Sequence, residues 1–233
     1  MKGTAKILRV LAIILLGMTA GINLLGGAGT FCAAFSSNVG YRMAFKAIMD
    51  YRWLYQIVMV LTIPTGIAGI VALVKYIKGK PDAYRFTMIL LIIGTILGGT
   101  QFIASTVLRG KATPANVKFF TNVVTLVYFL ILQLPGIRKT LDDSGPVDKS
   151  ETNAAGGLAA FIAGTLTLTV FFWAGPSHTF FGENWVFVFE TPLLVIGTLL
   201  VMGGFLTVLR EILRYVSQNT AIEESRILRI LIK

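Results

Sequence analysis

Asn23, Gln101, Asn122 and Gln133 are the side chains with the most chemistry to satisfy, because each lies within or at the end of a long apolar run. An amide left without a partner in such surroundings costs about 1–3 kcal/mol. Thr19, Asn23, Gly26 and Thr30 follow at steps of four, three and four, and Gly94, Gly98, Gln101 and Ser105 at steps of four, three and four as well. That spacing puts each set on one helical face. A further run carries Thr62, Gly66 and Gly69 around Pro64, and a fourth carries Asn122, Thr125 and Gln133.

Two uses fit these stripes. They line a hydrated path or a pocket for a polar solute, or they are contact faces on which small residues let backbones approach and amides bond across helices. Gly17-x-x-x-Gly21 and Gly94-x-x-x-Gly98 favour contact faces, since this spacing is common in membrane helices of every function. No Lys, Arg, Asp or His falls in the middle of an apolar run, which removes the ionisable group that proton-coupled pumps keep inside the membrane.

The densest mixture of functional groups is the stretch from Gly175 to Trp185, with Glu190 shortly after it. His178, Glu183 and Glu190 are the residue types that hold a metal or move a proton. Their spacing matches no ligand motif, and Trp173, Phe180, Phe181 and Trp185 read as an interfacial aromatic belt. Glu190, followed by Thr191-Pro192, reads as a helix start, where a negative charge is favoured. A single His excludes a haem held by two His side chains, and Cys32 alone excludes an internal disulfide or a paired-Cys site. Nucleotide-binding glycine loops, zinc-protease motifs and nucleophile elbows are absent. No catalytic or metal-ligating residue is therefore assigned, and any cofactor is unknown.

The elements that must position these residues follow from composition. Of 233 residues, 55% are hydrophobic and 14% charged, about half the charged share of a soluble domain. The fold class expected is an all-α, polytopic membrane protein with about six spans in antiparallel hairpins. The segments are Ile7 to Leu25, Trp53 to Leu73, Phe86 to Leu108, Phe119 to Leu134, Leu158 to Trp173 and Pro192 to Leu213. The first follows Lys2, Lys6 and Arg9 but has no small-residue cleavage site, so it reads as a span rather than a secretory signal. Leu25-Gly26-Gly27 before Thr30-Phe31 resembles Leu97-Gly98-Gly99 before Thr100-Gln101-Phe102, an approximate internal repeat.

The net charge of +10 comes from basic residues at segment ends, which points to anionic lipid headgroups and not to nucleic acid. With the N-terminus inside, 15 Lys and Arg fall on the cytoplasmic side and 6, Lys118 among them, on the other. This split places both termini in the cytoplasm of a cell whose inner or plasma membrane holds the chain. Arg42, Lys46 and Asp50 recur every four residues, suggesting a short interfacial helix from Tyr41 to Asp50. Pro135 to Gly157 reads as a polar linker, giving a four-helix part at 1–139, a linker at 140–156, a two-helix part at 157–214 and a basic amphipathic tail at 215–233.

The function expected is that of a structural or accessory membrane component that packs against partner subunits or binds lipid or an apolar ligand. The alternative is a small-solute transporter or channel using the polar stripes. A membrane enzyme with its site at His178, Glu183 and Glu190 comes third.

Overall fold

Apolar runs without backbone partners in lipid must satisfy their own N–H and C=O groups, and helices do so. A computed structural model of the chain describes residues 2–35, 39–112, 115–142, 147–173, 179–180 and 183–231. The chain is an all-α, polytopic membrane protein. Its long helices are α1 (Lys2–Phe35), α3 (Arg52–Ile77), α4 (Ala83–Arg109), α5 (Ala115–Leu132), α7 (Lys149–Leu168) and α9 (Glu190–Leu231). The shorter ones are α2 (Val39–Ala44), α6 (Pro135–Asp142) and α8 (Val170–Trp173). A two-residue antiparallel pair, β1 (Thr179–Phe180) with β2 (Glu183–Asn184), precedes a 3-10 turn at Trp185–Phe189.

Helices α1, α3, α4 and α5 form one bundle around Ala12, Leu16, Ala72, Leu91, Phe129 and Leu132. Pro64 sits inside α3 on its exposed side. The predicted interfacial helix is two pieces, α2 and a 3-10 turn at Lys46–Tyr51, whose Ile48 is buried against Ala34 and Tyr55. Gln56 Nε2 donates to the Ala34 carbonyl at 3.2 Å and Arg52 Nε donates to the same oxygen, so two side chains cap the last turn of α1. Helix α3 ends in a paired-turn cap: Lys80 N–H bonds Lys75 O and Gly79 N–H bonds Tyr76 O. Gly79 takes φ of 60°, the left-handed value such a cap requires.

The remaining pair, α7 and α9, runs antiparallel with a glycine seam. A Cβ at Gly164 would meet Val201 N at 2.6 Å, and one at Gly157 would meet Gly204 O at 3.0 Å. Helix α7 also lies along α1, with Ala155 buried against Ile13 and Ile14.

Three expectations are refined. Among the described residues, five helices, α1, the Lys46–Ile77 stretch, α4, α5 and Glu190–Ser217 of α9, are long and apolar enough to cross a membrane. The fifth expected segment lies on α7 and α8, and α7 opens with Lys149, Glu151 and Asn153. The stretch taken as a linker is largely helical: α6 covers Pro135–Asp142 and α7 starts at Lys149. The reason is local, since Asp148 accepts from the Glu151 N–H at 2.6 Å and the Glu151 carboxylate accepts from the Asp148 N–H at 3.2 Å, a capping box. Third, Gly17 abuts Leu73, but nothing lies within 4 Å of a Cβ at Gly21, so that glycine pair is not one contact face.

Candidate functional site

The polar stripes of α1, α3, α4 and α5 meet one another inside the bundle. Asn23 and Asn122 form a reciprocal amide pair: Asn23 Nδ2 donates to Asn122 Oδ1 at 3.2 Å, and Asn122 Nδ2 donates to Asn23 Oδ1 at 2.9 Å. Asn122 Nδ2 also donates to its own helix at Lys118 O, 2.8 Å away. One turn along, the hydroxyls of Thr19 and Thr125 are 2.7 Å apart, and both reach the Leu15 carbonyl, Thr19 at 2.8 Å and Thr125 at 3.5 Å. Gln101 Nε2 donates to Thr30 Oγ1 at 2.9 Å, and Ser105 pairs with Tyr55 across 3.0 Å. Asn122 and Thr125 are fully buried.

The glycines make this closeness possible. A Cβ at Gly94 would collide with the Asn122 amide, and one at Gly98 would stand 3.0 Å from Phe119 Cα and 3.2 Å from its N. Gly26 faces the Lys118 side chain, where a Cβ would stand 3.3 Å from its Cδ, while Gly66 and Gly69 receive Leu24 and Ala20 of α1. The two repeat-like segments thus converge on the first turn of α5. Phe102 stacks on Phe119 with ring centroids 5.4 Å apart and closes that end.

Lys118 is the residue that the charge count misplaced. Rather than standing in an outer loop, it lies in the first turn of α5 and is 2% exposed, with its ammonium turned inward. Lys118 Nζ donates to Thr62 Oγ1 at 3.3 Å and to Gln101 Oε1. No carboxylate pairs with it among the described residues. The spacing Lys118, Asn122, Thr125 continues the α5 stripe, so the signal was present in the sequence.

Gln133 does not join this network. It lies at the other end, where its Oε1 accepts from Arg138 Nη1 at 3.2 Å. Beside it, Arg9 and Glu151 form an ion pair at 3.7 Å with both side chains under one-tenth exposed, and Arg9 Nη2 donates to Leu141 O at 2.7 Å. The pair ties α7 to α1. Further along the seam, Asn153 Nδ2 donates to Glu211 Oε1 at 2.8 Å.

His178 lies outside the described residues. Glu183 is in the short β2 strand, and Glu190 is the exposed first residue of α9. Among the described residues no three His, Cys, Asp or Glu side chains converge. The chain matches no known family, no curated protein and no solved structure.

Proposed function

We propose that this chain is a structural or accessory membrane component, whose buried polar groups clamp its own helices and whose outer apolar surface packs against partner helices or lipid. The observation that carries the reading is the reciprocal Asn23–Asn122 pair, with Thr19–Thr125 beside it: the amides and hydroxyls spend their bonding capacity on each other. A hydrated path needs such groups turned to water. Helix α9 supplies the outward surface. Only 11% of its apolar window is buried, against 22–44% for the other four, and Leu199, Met202, Phe205 and Leu206 are exposed. A photo-crosslinking side chain at Leu199 or Phe205 should trap a second membrane polypeptide in cells, and the same protein should stay bound in mild detergent. Trapping of lipid alone at both positions would remove the partner half of the proposal.

In the proposed topology α7 crosses as a sixth span beside α1 and both termini face the cytoplasm of an inner or plasma membrane. Lys6, Arg9, Lys80, Arg85 and Arg138 gather at one end of the bundle, as a positive-inside arrangement requires. A reporter after Lys233 should read cytoplasm and one near Ser177 the exterior. Five crossings would put the two termini on opposite sides, so a C-terminal reporter reading exterior with a cytoplasmic N-terminus sinks the sixth span.

Lys118 favours a second reading, a small-solute transporter, because a buried cation facing amides and hydroxyls is the kind of group that meets a substrate within a membrane. The variants that separate the two readings are taken up below.

A further inference from the structure

At the end of the bundle opposite Lys118, the turn between α3 and α4, the corner between α5 and α6 and the start of α1 enclose a cleft of about 590 Å³. Its size falls within the range of small-ligand sites, roughly 300–1,000 Å³. Arg9, Lys80, Arg85 and Arg138 line it, with Asp142 the one acidic residue lining it among the described residues. Arg9 is occupied by Glu151, and Arg138 lies 3.8 Å from Asp142. Lys80 and Arg85 have no ion pair among the described residues and stand exposed at the mouth.

The nearest acid in sequence, Asp82, is directed elsewhere. Its Oδ2 accepts from Lys75 Nζ at 2.5 Å, and this bond holds the carboxyl below the usual carboxylate range. The pair therefore persists as pH falls, until pH passes through that lowered value. Two further features shape the mouth. Helix α4 begins at the cleft with Ala83 and carries no acid in its first turn, and its N-cap residue Asp82 makes no side-chain cap bond there, its carboxylate being engaged by Lys75. The left-handed Gly79 cap fixes the backbone that carries Lys80. Gln133 and Tyr76 add polar groups to the wall, and Leu132, Leu141 and Val147 make an apolar flank.

We propose that this cleft binds a phosphate-bearing anion, clamped by Lys80 and Arg85 and bordered by Arg138. Fork-shaped guanidinium donors suit phosphate oxygens, and basic pockets at the ends of membrane helices take phospholipid headgroups. The apolar flank suits the glycerol and acyl portion of a lipid, while a free phosphorylated solute would use the same cations. This site stands apart from the partner-packing role and holds for either orientation of the chain.

The test uses the full chain in mild detergent. Native mass spectrometry should show phosphatidic acid retained over phosphatidylcholine. Lys80→Ala/Arg85→Ala should weaken retention about 25-fold, since each cation near an anionic headgroup contributes roughly fivefold. Lys78→Ala/Lys139→Ala, at the same end but outside the cleft, should stay within about twofold of wild type, as surface changes away from a site do. Arg138→Ala is the second variant, with a smaller loss, should the double variant fail to fold. A melting temperature raised by inorganic pyrophosphate in wild type but not in Lys80→Ala/Arg85→Ala identifies phosphate alone as sufficient; retention of lipid without a pyrophosphate response identifies the headgroup with its lipid. Equal losses in the two double variants would mean diffuse surface charge, and no preference for phosphatidic acid with no pyrophosphate response would mean no site. Either result overturns the proposal.

Discussion

Glu151→Leu should unfold the chain at markedly lower temperature, with a loss of about 3 kcal/mol. Removing one member of a buried ion pair leaves the other charge uncompensated, at a typical cost of about 3–5 kcal/mol. The lower end applies here because Arg9 keeps its bond to the Leu141 carbonyl. The same substitution removes half of the capping box that starts α7, so the damage should concentrate where α7 meets α1. Arg9→Met combined with Glu151→Leu should recover much of the loss, since a matched apolar pair leaves no stranded charge. Thermal melts in one detergent decide it: if the double variant is as unstable as the sum of the singles, the charge pair is not the cause.

Gly98→Leu should be as severe for a different reason. The α4 and α5 backbones are so close at Phe119 that a single added carbon would stand 3.0 Å from its Cα and the rest of a leucine has nowhere to go without moving a helix, and overpacking of this kind costs about 1–3 kcal/mol. Asn23→Leu should be milder, near 0.6 kcal/mol, the average for interhelical hydrogen bonds in a membrane, because Asn122 retains Lys118 O. Lys118→Met should be close to neutral in stability, as an apolar group of similar length replaces a buried charge that has no counter-ion among the described residues. None of these variants should change solute flux in reconstituted vesicles beyond what misfolding explains. Should Gly98→Leu leave the melt intact while Lys118→Met or Asn23→Leu abolishes a measurable flux, the transporter reading replaces the structural one.

The stripes were legible because helical spacing is a local property. Thr19, Asn23 and Thr30 had to share a face whatever the rest of the chain did. Their partners were not legible: that Asn23 meets Asn122 and Gln101 meets Thr30 depends on how far each helix slides against the next, which no spacing within one helix encodes. Charge counting hid Lys118, because a basic residue near a helix end was credited to the loop although its long stem reaches inward. Composition hid α6 and the start of α7 in the same way, since Ser, Gly and acidic residues outweighed the Asp148-x-x-Glu151 signature. Arg9 and Glu151 look like ordinary surface charges until the fold brings them together.

The amide pair also sets an order of events during synthesis. Asn23 and Asn122 are 99 residues apart in the chain. At about 5–20 residues per second, the ribosome delivers the second amide roughly 5–20 s after the first. Through that interval Asn23 is without its amide partner, although Gly66 and Gly69 of α3 already receive Leu24 and Ala20 of its helix. Closure between α1 and α5 therefore comes late, and a nascent chain halted before Asn122 presents a first helix whose Asn23 has no reciprocal amide within the polypeptide.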